Sequence, residues 1–194
     1  MREGAAFYIW HADSNGLAFR SNCEKAGLKI KQILIWVKNH FTLGRQDYQW
    51  RHEPCLYGWK EGAAHYFSEH RNISSIIESI DNLEKGSLED YKKFVEELKE
   101  NSSIFYADVP LKDDLHPTMK PIELIKKQIK NSSKEGDSVL DMFGGSGTTL
   151  LACEELNRKC FMMEYDPKYA DVIIERWEQA SGKVAQKINN INVQ

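Results

Sequence analysis

A glycine-rich turn and an acidic residue form the pattern in this chain that is best suited to bind a ligand. Residues 144–147 (GGSG) follow a short apolar segment ending at Asp141 and precede a helix-forming segment that begins at Thr148. At such a turn a ligand can approach the backbone, because the N–H groups at the start of the helix point outward. Glu164 ends the next apolar segment, 23 residues after Asp141, where a carboxylate can accept hydrogen bonds from ribose hydroxyls. The pattern predicts a nucleoside site.

Two common phosphate-binding motifs do not fit this turn. A P-loop is excluded because no Gly-Lys-Ser/Thr follows the glycines, and the third glycine of the dinucleotide fingerprint falls on Leu150. A nucleoside without phosphates therefore fits better than a nucleotide. Taken alone, the turn could also be only a structural corner between a strand and a helix.

A second polar motif stands about twenty residues earlier in the chain. Residues 116–121 (HPTMKP) combine two prolines, which fix the backbone, with three polar side chains just before a predicted helix. Pro121 suits the first position of that helix, because proline needs no hydrogen-bond partner for its nitrogen there. By itself this segment could be a simple helix boundary.

Together the two motifs resemble the S-adenosylmethionine site of amino-methylating DNA methyltransferases of the permuted, beta-type order. That family has an H-P-T-x-K-P segment followed by a D-P-F-x-G-S-G-T turn, and here only Met142 departs from it, standing where proline is usual. The resemblance covers nearly the whole chain apart from residues 71–112, and it implies a Rossmann-like α/β fold. It also implies that S-adenosylmethionine is bound by His116, Thr118, Lys120, Asp141, Phe143, Gly144, Gly145, Ser146, Gly147, Thr148 and Glu164.

Within that set the resemblance gives three roles. Asp141 and the residues that follow it would form the cofactor turn, and the negative charge of Asp141 suits the ammonium group of the cofactor. Glu164 would hold the ribose. His116, Thr118 and Lys120 would flank the methionine end.

The resemblance implies transfer of the sulfonium methyl group to the exocyclic amino nitrogen of adenine or cytosine, on a base extruded from double-stranded DNA. In the family a D/N/S-P-P-Y/F/W loop holds the amino group in line with the methyl group and stacks on the base. These 194 residues contain no such tetrapeptide, so the sequence predicts no catalytic residue. Because the permuted order places this loop before the strand near Gly4, we expect the sequence to begin after the catalytic strand.

Two alternatives to an active DNA methyltransferase stay open at this point. The chain could be a catalytically inactive remnant, or a subunit that needs a partner chain carrying the catalytic loop. A small-molecule or RNA methyltransferase is a weaker alternative, because its usual order places the cofactor turn near the amino terminus.

In the family's sheet the catalytic strand lies between the strand ending at Asp141 and the one starting near Gly4. Without it we expect a complementing polypeptide, self-association or a rearranged sheet.

The hydrophobic pattern predicts the elements that position these motifs. It predicts strands near residues 4–10, 31–37, 52–59, 138–141 and 160–163, and helices over residues 17–26 and 148–156 and after Pro121 and Asp166. Two further amphipathic helices are predicted between residues 71 and 112. We therefore expect residues 1–70 to be the C-terminal part of the catalytic, DNA-facing half. Residues 71–112 would be a helical insertion and a candidate target-recognition region, and residues 113–194 the cofactor half, all in one structural domain.

Composition limits the class of protein further. The chain has 194 residues, of which 41% are hydrophobic and 28% charged, which excludes the low-hydrophobicity signature of disorder. No apolar run approaches the ~18 residues of a membrane span, and the four cysteines form no C-x-x-C pair, so we expect a cytoplasmic protein. The histidines match no zinc-binding spacing, and no metal site is predicted.

Charge and aromatic residues bear on DNA contact. The net charge is −3, so a DNA-binding surface must be local, and the stretch from Arg20 to Arg71 has nine Lys and Arg against five Asp and Glu. Phosphate contacts or ordinary solvated charges are predicted for Arg45, Arg51 and Lys60. Four tryptophans stand at predicted strand positions, and they are Trp10, Trp36, Trp50 and Trp59. We expect them to fill the core rather than to stack on bases.

Overall fold

The computed structural model describes residues 1–42, 44–45, 47–68, 104–106 and 119–188. The chain divides into two compact units, Met1–Val109 and Pro110–Gln194. The predicted motif residues His116 and Thr118 and most of the predicted helical insertion lie outside the described residues.

In its described residues the first unit contains a four-stranded sheet and one α-helix. Its elements are β1 (Ala6–Trp10), a 3₁₀ turn (Asp13–Asn15), α1 (Gly16–Lys25), β2 (Lys29–Thr42), β3 (Trp50–Trp59) and β4 (Ile104–Tyr106). The strand order is β1-β3-β2-β4, with β3 antiparallel to both of its neighbours and β4 parallel to β2. The first three predicted strands and the predicted helix are confirmed. The short strand β4 was not predicted, because it falls within the region expected to be a helical insertion.

The middle of β3 forms the core of this unit, because it is covered by strands on both sides. Cys55 and Leu56 are fully buried there, and Trp36 of β2 is buried as well. Pro54 lies one residue beyond the end of β1, whose Trp10 pairs with Cys55. The missing N–H of Pro54 therefore removes no bond to β1, while its carbonyl accepts from the His11 N–H at 3.2 Å.

The second unit, over residues 119–188, contains two parallel strands and three helices. Its elements are α2 (Ile122–Ser132), β5 (Ser138–Asp141), α3 (Thr148–Glu155), β6 (Lys159–Met162) and α4 (Pro167–Ser181). Residues Ser138 to Asp141 pair in register with Lys159 to Met162. All five predicted elements are confirmed. Both strands end at the same edge of the sheet, which brings the turn after Asp141 next to the residues that follow β6.

One hydrophobic cluster joins α2 and α3 to the sheet. It is formed by Ile125, Ile129, Ala152, Cys153 and Leu156, with Val139 and Cys160 packed against it. The Arg158 side chain fastens the ends of these elements, because its Nη2 donates to the Ser133 carbonyl at 2.8 Å and its Nε to the Ser133 hydroxyl at 3.2 Å. The start of β6 is thereby tied to the end of α2.

Within the part of the chain that the structure describes, β1 and β4 are the edge strands of the four-stranded sheet, and β5 and β6 are those of the two-stranded sheet. There β1 pairs only with β3, and β5 pairs only with β6. Over the same residues, no helix combines the length and apolar character that a membrane span requires.

Candidate functional site

The glycine-rich turn is docked on the residues that follow β6. The Gly144 N–H donates to the Met163 carbonyl at 2.8 Å, and the Met163 N–H donates to the Asp141 carbonyl at 2.9 Å. The Gly147 N–H donates to the Gly144 carbonyl at 2.8 Å and closes the turn. The two strand ends and the turn therefore form one rigid rim, at the edge where open α/β sheets bind ligands.

Glu164 is held against this rim by backbone donors. Its Oε2 accepts from the Gly145 N–H at 2.7 Å, and its Oε1 accepts from the Asp166 N–H at 3.0 Å. A carboxylate is also the kind of acceptor to which the hydroxyls of a ribose donate. Asp166 also caps α4, because its side chain accepts from the Lys168 N–H at 2.9 Å, with Pro167 in the first turn.

Asp141 has its bonds inside the turn. Its Oδ1 accepts from the Phe143 N–H at 3.0 Å, and its Oδ2 accepts from the Thr149 hydroxyl at 2.6 Å. The carboxylate thus fixes the path of the turn into α3. Thr149 was not among the predicted site residues. The spacing of an acid at the end of a strand and a hydroxyl in the first turn of the next helix is the signal that could have found it.

Two buried hydroxyls connect the turn with the motif that precedes α2. The Ser146 Oγ lies 3.3 Å from the Thr148 Oγ1, which donates to the Lys120 carbonyl at 3.3 Å. The Ser146 carbonyl in turn accepts from the Arg176 guanidinium of α4. The structure therefore brings the end of the HPTMKP segment into contact with the glycine-rich turn. Sequence reasoning missed Arg176, because it lies far along the chain in an otherwise ordinary amphipathic helix.

Exposed apolar side chains stand beside these polar groups. Phe143 is 88% exposed, and Met142, Met163 and Tyr165 are also exposed. Aromatic and thioether surfaces of this kind can pack against a planar purine ring. Residues 141–149 contain no lysine or arginine, so the turn offers no cation to a phosphate. A carboxylate beside an apolar surface fits a nucleoside cofactor that carries no phosphate.

Gly147 has a backbone conformation that a side chain would strain. Its φ is +81°, and an added Cβ would lie 3.1 Å from both Cγ1 and Cγ2 of Ile173 in α4. We expect Gly147→Ala to lower the free energy of unfolding by about 1–3 kcal/mol, from the left-handed backbone and the tight contact together. Chemical denaturation monitored at Trp177 measures this change.

A double variant tests the cause of that loss. Ile173→Ala removes the Cγ1 and Cγ2 atoms that the new side chain would meet, so Gly147→Ala should cost less in an Ile173→Ala background than in the native one. Equal costs in the two backgrounds would show that Ile173 does not resist the added carbon.

Two thiols share the interior of this unit. The pKa of Cys153 is lowered and the pKa of Cys160 is raised, chiefly because the two sulfurs share a hydrogen bond. Burial opposes the shift of Cys153 and adds to the shift of Cys160. All four cysteines of the chain are free thiols. Over the residues with described positions, no group of His, Cys, Asp and Glu side chains could hold a metal ion.

Comparison with known proteins extends these observations. A family model described as DNA methylase, of the N6/N4 methyltransferases, matches residues 2–175. The type II methyltransferase M.HpaI of Haemophilus parainfluenzae is 30% identical over 146 residues, which is 73% of this chain and 44% of that protein. The DNA adenine methyltransferase YhdJ of Escherichia coli K12 is 26% identical over 200 residues, which is 98% of this chain and 66% of that protein. The chain thus spans less than two thirds of the length of either relative.

A solved structure shares the fold. The M1.HpyAVI–SAM complex superposes with a TM-score of 0.68 at 23% sequence identity, covering 91% of this chain and 76% of that one. Parallel strands, a glycine-rich turn and an acid after the second strand define a Rossmann-like α/β protein with the fold of S-adenosylmethionine-dependent methyltransferases. The fold predicted from the sequence is confirmed. With the match over residues 2–175, the chain belongs to the N6/N4 DNA methylase family.

Proposed function

We propose that this chain is part of an S-adenosylmethionine-dependent DNA methyltransferase that methylates the exocyclic amino group of adenine or cytosine in double-stranded DNA. Family membership supports the reaction class, and the names of the relatives support a type II restriction-modification context. The observation that carries the proposal is the Glu164 carboxylate, bonded to the Gly145 N–H at 2.7 Å beside an exposed apolar surface. This pairing provides a ribose acceptor next to a place for a purine.

The proposed roles follow from these contacts. Glu164 binds the ribose hydroxyls, and the side chain of Phe143 packs against the adenine ring. Asp141 shapes the turn and places a negative charge near the cofactor's ammonium group, while Lys120 joins the turn through its carbonyl. S-adenosylmethionine, when bound, supplies the methyl group. His116 and Thr118 are proposed to line the methionine end, as the family motif implies.

We also propose that the groups which hold the target base come from a polypeptide segment outside these 194 residues. The chain has no D/N/S-P-P-Y/F/W tetrapeptide, and within the described residues both β1 and β5 have an unpaired edge. A strand that carries the catalytic loop could pair with either of these edges, from the same polypeptide or from a complementing partner. Self-association would satisfy the same backbone groups. Four free thiols support a reducing, cytoplasmic location.

Methyl transfer provides the test of this function. We expect S-adenosylmethionine to bind this chain weakly and to shift the Gly145 amide resonance, without measurable transfer of labelled methyl groups to duplex DNA. A polypeptide that carries the tetrapeptide strand should restore transfer, because it supplies the acceptor and the stacking ring.

Two results would contradict the proposal. Labelled DNA produced by the isolated chain above a boiled control would show that its own residues perform the chemistry. No shift of Gly145 at saturating cofactor would remove the cofactor site.

A further inference from the structure

The β2–β3 ribbon extends well beyond the rest of its sheet. Trp10, the last residue of β1, pairs with Cys55, and β4 pairs with β2 only as far as Val37. Beyond Val37 and His52 the two strands continue as a two-stranded arm, whose next register pair is Thr42 with Trp50 and whose ladder is irregular between these two pairs. We define the hairpin arm as residues 38–42, 44–45 and 47–52.

The arm points toward the ligand-binding edge of its sheet. Because β1 and β2 both run antiparallel to β3, they are parallel to each other. The arm continues β2 beyond the carboxyl end of β1, which is the edge where open α/β sheets bind ligands. A surface at this position can reach a molecule that is bound at that edge.

The arm carries positive charge that the fold does not use. Among the described residues no carboxylate pairs with Arg45 or Arg51, and Arg51 is fixed by its Nε, which donates to the Lys38 carbonyl at 3.0 Å. Lys38, by contrast, pairs with Glu53 at 2.6 Å. Two arginines are therefore exposed to solvent on the arm, which also carries the exposed carboxylate of Asp47.

Aromatic side chains accompany the arginines. Tyr48 is 91% exposed and Trp50 is 41% exposed, so the prediction that Trp50 fills the core is wrong. The Gln49 side chain contacts the backbone near the tip of the arm, because its amide oxygen accepts from the Gly44 N–H at 2.6 Å. Exposed aromatics beside unpaired arginines are typical of surfaces that bind nucleic acid.

We infer that the hairpin arm binds the phosphate backbone of duplex DNA through Arg45 and Arg51, with Tyr48 and Trp50 against the sugar and base edges. The inference rests on the proposed function and names the surface that function would use. The sequence analysis treated Arg45, Arg51 and Lys60 alike, but the structure separates Lys60 from the two arginines. Lys60 follows the end of β3 and lies at the opposite edge of the sheet. There its Nζ donates to the Met1 carbonyl at 3.1 Å.

Fluorescence anisotropy with a short labelled duplex tests the inference. Removing both guanidinium groups in Arg45→Ala/Arg51→Ala should weaken binding about tenfold or more at 0.1 M salt and lower the slope of log K against log salt by about 1.8. Arg45→Lys/Arg51→Lys keeps both charges and should keep the slope. Lys25→Ala/Lys60→Ala removes the same charge at the opposite edge and should leave affinity nearly unchanged.

The outcomes separate this surface from the function itself. Equal losses in the two alanine pairs would mean that only net charge matters and would overturn the inference, while the proposed function stands. Absence of any salt-dependent duplex binding by the native chain would overturn it too, and Gly145 shifts with cofactor would then test the function separately. Tight binding of the arm to a protein, with no dependence on Arg45 or Arg51 for DNA, would show that the arm is a protein contact.

Discussion

Glu164→Ala should reduce affinity for S-adenosylmethionine by at least a hundredfold. Two ribose hydroxyls would lose a charged acceptor, and hydrogen bonds to charged groups contribute about 1.5–3 kcal/mol each. The same change removes the acceptor of the Gly145 N–H, so the turn would lose its tie to the end of β6. Titration followed at the Gly145 amide resonance measures the loss even when native binding is weak.

Two matched variants isolate the ribose contact. Glu164→Gln keeps the shape and one acceptor oxygen, and its affinity should fall between those of the native chain and the alanine variant. Asp137→Ala removes a carboxylate that also binds a backbone N–H, that of Lys134 at 2.9 Å, at the opposite end of β5. It should leave affinity unchanged. If Glu164→Ala binds as tightly as Asp137→Ala, the ribose assignment is wrong.

Gly58→Ala should lower the stability of the first unit by about 3 kcal/mol or more, because overpacking there meets a backbone atom. An added Cβ would lie 2.4 Å from the Lys29 carbonyl oxygen of β2 and 2.7 Å from Cζ of Phe7 in β1. Gly58 pairs with both neighbouring strands, so neither can move without losing ladder bonds. The midpoint of denaturant unfolding, followed by the fluorescence of the unit's tryptophans, measures the loss.

A control variant and a rescue variant test whether the added carbon of Gly58→Ala causes this loss of stability. Gly16→Ala adds the same carbon at the start of α1, where the nearest atom is His11 Cε1 at 3.5 Å, and stability should stay within about 0.5 kcal/mol. Phe7→Leu removes the ring but leaves the Lys29 oxygen, so it should restore only part of what Gly58→Ala loses. Stability of Gly58→Ala equal to that of Gly16→Ala would contradict the strand order β1-β3-β2.

Much of the fold could be predicted because its signals are local. Alternating and helical hydrophobic patterns predicted β1 to β3 and all elements of the second unit, and Asp166 with Pro167 predicted the start of α4. The strand β4 was missed, because three residues carry no periodicity and their pairing with Ile35 to Val37 joins distant parts of the chain. Strand order had to come from the structure.

The geometry of the candidate site was predictable to a similar extent, while the ligand-binding roles of its residues stay predictions. The turn and Glu164 follow from spacing, because parallel strands end at one edge. The bonds inside it do not, since Asp141 could face a ligand or its own turn, and only the structure shows it bonded to Phe143 and Thr149. The exposure of Trp50 was also not predictable from the sequence, because a tryptophan in a strand is buried only where another layer covers it.

Each unit contains one fully buried thiol, Cys55 in β3 and Cys153 in α3, and both are 0% exposed. A thiol reagent can reach either sulfur only when the surrounding strands or helices open. The rates of modification at the two sulfurs therefore report two separate opening equilibria, one in each unit. Bound cofactor should slow modification of Cys153. Duplex DNA bound at the hairpin arm should slow modification of Cys55 more than that of Cys153. Mass spectrometry of the two peptides over time can thus show which unit each ligand stabilises.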